Sequence, residues 1–186
     1  GMKFNTNLKT SAGTIWCLFL FSSILNGQTY SFKNYGADNN VQNGFIYTIN
    51  QSNDGFLWVG TGNGIARFDG YTFFIVQYPD SSTVRYPTAC LKDKNGTLWY
   101  GCSDGTVYYV RKNSLIPVPL SNSRIISAVV EGPDGLVYVI PQGKAVFGIN
   151  PVKPDEIHEY FFPGDPVIFS ASFGNNGNLL LGTQEN

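Results

Sequence analysis

Few residues in this 186-residue chain are equipped for chemistry. The one histidine, His158, falls in a segment that reads as an outer strand. A lone imidazole there is a surface residue rather than a base or a ligand. No Cys/His cluster has zinc spacing. Asp54 and Asp134 share a repeated position with Asn95 and Asn176, so they read as turn formers and not as an acid–base pair. Asp38-Asn39-Asn40 offers too few oxygens at alternating positions for calcium. No serine sits in a Gly-x-Ser-x-Gly elbow. The Gly-x-Gly within Gly60-Thr61-Gly62-Asn63-Gly64 precedes no helical pattern, which disfavours a dinucleotide site. The expectation is no catalytic residue, no metal and no cofactor. Recognition is what remains. Loops Gln42 to Phe45, Val84 to Pro87 and Ser121 to Ile125 supply Asn43, Arg85, Tyr86 and Arg124. Arg85, Tyr86 and Arg124 are the candidate ligand residues: two guanidinium forks and an aromatic suit an anionic or sugar-like ligand. The bland reading is ordinary solvated loop residues.

Those loops must be held by something, and the chain repeats itself. Asp54-Gly55-Phe56-Leu57-Trp58-Val59-Gly60-Thr61 returns as Asn95-Gly96-Thr97-Leu98-Trp99-Tyr100-Gly101-Cys102. It returns again from Asp134 to Pro141 and from Asn176 to Thr183. Gly55, Gly96, Gly135 and Gly177 are 41, 39 and 42 residues apart. A period near 40 residues is an array signature. Asp/Asn-Gly between apolar runs predicts a hairpin with a two-residue type I′ turn. A second turn follows at Gly62-Asn63-Gly64, Ser103-Asp104-Gly105 and Gln142-Gly143-Lys144, and a third at Asp69-Gly70 or Lys112-Asn113. Four short antiparallel strands per period make one propeller blade. The fold class is therefore all-β, a propeller of four-stranded blades, with about three and a half blades in this chain. A sandwich or β-solenoid also has short strands and frequent turns. Neither requires the same Gly-x-Leu-Trp block in register each time. Trp58, Trp99 and Tyr138 share one position, taken by Leu180 in the last copy, and are expected to pack between adjacent blades.

The ends carry other information. Gly1 before Met2 reads as a cloning scar. Lys3 and Lys9 precede an apolar run over 14–25, too short for the roughly 20 residues of a membrane span. Residues 1–27 are expected to be a scar and signal peptide, and 28–186 the N-terminal part of a propeller. Residues 28–186 hold all 13 acidic residues and 10 of the 12 basic ones, a net charge of −3. That speaks against nucleic-acid binding. Tyr30 to Tyr35 resembles the fourth-strand segment Phe73 to Tyr78, and is expected to complete the last blade and close the ring. Seven blades would need about 280 residues, so this chain reads as part of something larger, its ring completed by further chain or by self-association. Cys90 and Cys102 flank the second hairpin. A two-residue loop puts them on opposite faces. A three-residue loop puts them diagonally about 7–8 Å apart, beyond the roughly 4 Å of a disulfide. Two buried free thiols are expected.

The block from Ile49 to Gly70 resembles the two-component-regulator propeller repeat. That pattern runs Asp-x-x-Gly-Phe-x-Trp-Val-Gly-Thr and then Asn-Gly-Leu-x-Arg-Tyr-Asp-Gly. The first copy here follows it closely and the second well. The later two have drifted, with Ile140-Pro141 for Gly-Thr and Leu180 for Trp. The resemblance covers about Tyr30 to Thr183. It implies the periplasmic sensor half of a hybrid histidine kinase, exported, with a membrane helix and kinase downstream and glycans as a ligand class. A propeller lyase or glycosidase, or an adhesion module, is the alternative.

Overall fold

The computed structural model describes residues 31–36, 45–80, 85–121, 124–143, 145–161, 164 and 166–184. The chain divides into two compact units, Gly1–Asn34 and Tyr35–Asn186. The described part of the first, 31–34, holds no strand, and the leader expected over 1–27 lies outside the described residues. The second unit is all-β, with no helix among its described residues.

Its strands form three four-stranded sheets and one hairpin. Blade 1 is β1 (Ile46–Gln51), β2 (Leu57–Thr61), β3 (Gly64–Phe68) and β4 (Phe73–Ile75). Blade 2 is β5 (Pro87–Lys92), β6 (Leu98–Cys102), β7 (Val107–Arg111) and β8 (Ser114–Pro117). Blade 3 is β9 (Ile126–Glu131), β10 (Val137–Pro141), β11 (Ala145–Ile149) and β12 (Ile157–Phe161). The half-blade is β13 (Ile168–Phe173) with β14 (Leu179–Thr183). Each sheet is an antiparallel meander in chain order, and the first strands β1, β5, β9 and β13 adjoin one another in sequence. The fold is an open propeller of three and a half blades.

The repeated Gly turn differs from the expected type I′ hairpin. Gly55, Gly96, Gly135 and Gly177 donate their amides to the carbonyls of Ser52, Asp93, Gly132 and Gly174. Ser52, Asp93, Gly132 and Gly174 donate in turn to Phe56, Thr97, Leu136 and Asn178. The loop thus has three residues, and only its glycine is at positive φ (91°, 83°, 81° and 79°). This is a type I turn followed by a left-handed bulge residue. Asp or Asn before the glycine keeps ordinary φ; Asp134 Oδ1 accepts from Leu136 N and Asn176 Oδ1 from Asn178 N, both at 3.2 Å. The two-residue turn with both residues at positive φ occurs at Lys112 (49°) and Asn113 (63°) instead.

That extra residue sets the register. Cys90 faces Tyr100, a bulge follows at Thr88, and Pro87 faces Cys102. Both cysteines are free, Cys102 buried and Cys90 half-buried. Burial pushes the Cys102 thiol up to about 12. Every first strand carries a bulge at the equivalent place: Tyr47, Thr88, Ser127 and Phe169. Two of these reach the next blade. Thr88 Oγ1 donates to the Ile126 carbonyl at 2.6 Å, and Ser127 Oγ donates to that of Ile168.

The core lies between blades. Trp58 is fully buried against Leu98, Tyr100 and Tyr108 of blade 2. Trp99, also fully buried, packs against Ile126, Val139 and Ile149 of blade 3. Tyr138, Leu179 and Leu181 pack against the same buried cluster of Ala128, Ile140, Val146 and Ile168, and the Tyr138 ring lies 5.1 Å from that of Phe173. The aromatics act between blades, as their recurrence predicts. Trp99 Nε1 donates to Asp93 Oδ2 at 2.9 Å, while Asp93 Oδ1 accepts from Asn95 N and Thr97 N. Two residues past each Trp, the glycine makes room for the neighbour's first strand. A Cβ on Gly101 would stand 2.6 Å from Ile126 Cβ, and one on Gly60 would strike the Pro87 ring.

Among the described residues, the N-terminal segment pairs with no strand of this chain. Residues 31–36 form no strand. Tyr35 packs edge-on against Phe68 and Phe73 of blade 1, ring centroids 4.9 and 5.6 Å away.

Two outcomes test this packing. Gly101→Ala is expected to destabilise the chain by about 1–3 kcal/mol through overpacking, with Gly36→Ala, whose Cβ would meet open space, as the neutral control in urea denaturation. Asp93→Ala strands the buried Trp99 N–H and two turn amides, and is expected to cost about 3 kcal/mol. Near-UV circular dichroism of the Trp band, followed through the same melts, reports it.

Candidate functional site

The candidate loops sit on one rim of the propeller. There the residue before each first strand pairs with the turn between the second and third strands. Gly62, Ser103, Gln142 and Gln184 donate their amides to the carbonyls of Phe45, Tyr86, Ile125 and Val167 at 2.9–3.3 Å. These bonds bring Arg85 beside Asp104, and Arg124 beside Gln142. They also show that Arg85 and Arg124 hold equivalent positions, each directly before the pinned residue.

The two arginines have opposite fates. Arg85, expected to reach for a ligand, is 4 % exposed and held by the protein itself. Its Nη1 is 3.0 Å from Asp80 Oδ1 and its Nε 3.0 Å from Asp104 Oδ2. Nη1 also donates to the Tyr108 hydroxyl, and the guanidinium lies 5.4 Å from the Tyr78 ring centre. Burial, the largest single influence, raises the Asp80 carboxyl, but the hydrogen bond and charge of Arg85, a backbone hydrogen bond and the Tyr108 hydroxyl together hold it below the ordinary carboxylate range. Arg85 therefore fastens the rim between blades 1 and 2, and its fork is taken up by the protein's own carboxylates. Arg124 is exposed.

The difference lies in the neighbours. Blade 3 has Gly143 where blade 2 has Asp104, and Phe147 where blade 2 has Tyr108. Leu120 takes the place of Tyr78, and no acidic residue lies between Leu115 and Arg124. Aliphatic and glycine replacements leave room where blades 1 and 2 have a filled network. A cleft of about 380 Å³ lies on blade 3 and its entry loop, lined chiefly by Arg124, Gln142, Phe147, Glu159 and Phe161. That volume falls within the range of small-molecule sites. Its wall mixes two aromatic faces with a guanidinium, an amide and a carboxylate, so it suits a ligand with an apolar body and polar ends.

Tyr86 lies elsewhere. Its ring stacks on Tyr47 of β1, centroids 5.0 Å apart and 22° from parallel. The three candidate residues are thus dispersed: Arg85 buried in the rim network with Asp80 and Asp104, Tyr86 in an aromatic stack, and Arg124 in the cleft. Glu159 and Phe161, on β12, were not singled out from the sequence. Their signal was available, because both point from an outer strand in which four of five residues are exposed. His158 is exposed on that strand, opposite Gly148. Asn43 lies outside the described residues. Among the described residues no three His, Cys, Asp or Glu side chains converge as metal ligands.

Residues 40–63 match the model of the two component regulator propeller family. No curated protein sequence matches the chain. Among solved structures, the fold is similar to the extracellular domain of a putative hybrid two component system from B. thetaiotaomicron. The TM-score is 0.66 at 16% identity, over 81% of this chain and 23% of that one. A putative one component system from the same organism gives 0.64 at 18% identity, over 78% and 21%. Virginiamycin B lyase from Staphylococcus aureus gives 0.58 at 20% identity, over 73% and 48%. The chain thus spans about half the length of the lyase and about a fifth of the two extracellular domains.

The two arginines should separate in a thermal melt. Arg85→Met is expected to lower Tm by several degrees, because it leaves Asp104 and Tyr108 facing an apolar side chain. Arg124→Met, at an exposed position, is expected to leave Tm within about a degree or two. Differential scanning calorimetry of both variants checks this.

Proposed function

We propose that this chain is a ligand-sensing or interaction propeller of a two-component signalling system, acting outside the cytoplasm. The observation that carries the reading is the family match at residues 40–63, which falls on the first blade's opening hairpin. The likeness to extracellular domains of B. thetaiotaomicron systems supports it at the level of fold. The basic and apolar leader pattern over residues 3–25 supports export. In this reading the chain performs no reaction. It binds a small molecule or a partner and passes the change in stability and shape to a membrane-bound kinase in another part of the protein. Glycans released outside the cell are the proposed ligand class. The lyase likeness supports a second reading, a secreted propeller enzyme. That reading requires a histidine and carboxylate cluster, and the chain's only histidine lies on the exposed face of β12.

A ligand that binds only the folded state raises its stability, by about 2.7 kcal/mol at a hundredfold excess over Kd. Thermal-shift screening against neutral and acidic oligosaccharides is expected to raise Tm for at least one sugar. No shift with any of them would remove glycans as the ligand class. An alkaline-phosphatase fusion after residue 184 is expected to be active in the periplasm, and an inactive one would remove the extracytoplasmic reading.

A further inference from the structure

We propose that a second pocket, between blades 2 and 3 at the rim opposite the Arg85 network, binds a small organic monocarboxylate with a compact apolar body, its carboxylate on Arg111. The pocket has a volume of about 210 Å³. The repeat shows what sets Arg111 apart. Arg67, Tyr109 and Gly148 face Trp58, Trp99 and Tyr138 across the second and third strands. Two residues further on, the three blades carry Asp69, Arg111 and Asn150. In blades 1 and 3 that side chain caps its own outer turn. Asp69 Oδ1 accepts from Tyr71 N and Thr72 N, both at 2.8 Å. Asn150 Oδ1 accepts from Val152 N at 3.0 Å. An arginine has only donors and caps no amide. Arg111 is exposed, and among the described residues no carboxylate lies within ion-pair distance of it. A ligand carboxylate supplies the bidentate partner that the fold does not, and charge-assisted pairs of this kind are the strong ones.

The surroundings of Arg111 set the rest of the ligand. Tyr109, two residues back on the same face of β7, is half-buried. Continuing the register, in which Trp99 faces Tyr109, puts Thr97 across from Arg111. Both line the pocket, and both carry hydroxyls of the kind that donate to carboxylate oxygens. The facing wall is the loop between β11 and β12, with Pro151, Val152 and Pro154. Val152 is 81 % exposed, yet its loop is braced from within. Asn150 N donates to the Glu156 carbonyl at 3.1 Å, Asn150 Nδ2 to Glu156 Oε2 at 2.8 Å, and Lys153 Nζ to Glu156 Oε1 at 2.8 Å. An apolar lip that is already ordered lowers the entropic cost of binding. No carboxylate lines the pocket, so the lining offers one cation and an apolar wall to a single negative charge. An apolar cavity of about 150 Å³ holds benzene, so this pocket takes one ring or a short chain together with its carboxylate.

The site is separate from the glycan reading, whose candidate residues lie at the other rim. Isothermal titration of this chain with phenylacetate, benzoate and butyrate is expected to give saturable binding. Phenylacetamide, which keeps the shape and loses the charge, is expected to bind at least about tenfold more weakly than phenylacetate. Arg111→Gln should lose about tenfold or more in affinity for phenylacetate at unchanged Tm. Val152→Ser should weaken phenylacetate more than acetate. Should Arg111→Gln fail to fold, Val152→Ser and Thr97→Val carry the comparison, each expected to weaken phenylacetate. Arg124→Met, at the other rim, should leave binding unchanged, and an equal loss there would overturn the proposal. Absence of saturable binding by all three carboxylates overturns it, as does binding that Arg111→Gln and Val152→Ser leave unchanged. Inorganic phosphate or sulfate bound as tightly as phenylacetate overturns it too, because the apolar wall would then contribute nothing.

Discussion

Contact between blades is the interaction on which everything else in this propeller depends. Each complete sheet buries its large central side chain in the next sheet, with Trp58 and Trp99 fully enclosed. An aromatic of this size hides some 150–250 Å², roughly 4–6 kcal/mol of apolar burial. No single blade can gain this alone. Two residues further on, Gly60 and Gly101 let the neighbour's first strand approach until Pro87 and Ile126 fill the space a Cβ would occupy. Large and absent side chains are therefore two halves of one device, and the octapeptide carries both.

From this spacing the rim follows. Because neighbouring first strands lie side by side, the bulged Thr88 and Ser127 reach the next blade's carbonyls. The residue before each first strand is pinned by an amide from the nearby turn. The rim positions become interchangeable in geometry and free to differ in chemistry. Between blades 1 and 2 an arginine, two carboxylates and two tyrosines fill the niche. At blade 3, glycine and phenylalanine at the matching positions line a cleft. A scaffold built this way gains a cleft by deleting a side chain, without altering its strands.

Much of this was legible in the residues. The period of the Gly-x-Leu-Trp block specified four-stranded blades, and β11 runs from Ala145 to Ile149 as its pattern indicates. The aromatic position was readable as interblade packing because a side chain that recurs in every copy must meet what also recurs, the next copy. The turn type was misread, since Asn-Gly suits both a type I′ turn and the bulged type I turn found here. Local preference does not distinguish them; the three-residue register that places Trp99 against blade 3 does. Tyr35 was read as a closing strand from its likeness to the Phe73 segment. Here Tyr35 covers Phe68 and Phe73.

The rim was legible in its position; which of its residues the fold buries was not. Loop composition singled out Arg85, Tyr86 and Arg124 on equal terms, for each is polar or aromatic and precedes a first strand. Asp80 and Asp104 decide that Arg85 turns inward, and they lie on opposite sides of it in the chain, five residues before and 19 after. The equivalence of Arg85 and Arg124 was hidden by loops of different length and emerged from hydrogen-bond pairing across the rim. The sequence by itself determined the repeat, the blade, the turn glycines and the interblade aromatics, because these rest on contacts between neighbours at a fixed period. Only the tertiary structure decided which arginine is buried, which niche is open and that Glu159 and Phe161 share it with Arg124. Those outcomes depend on side chains from different blades meeting in space, and no local pattern encodes such a meeting.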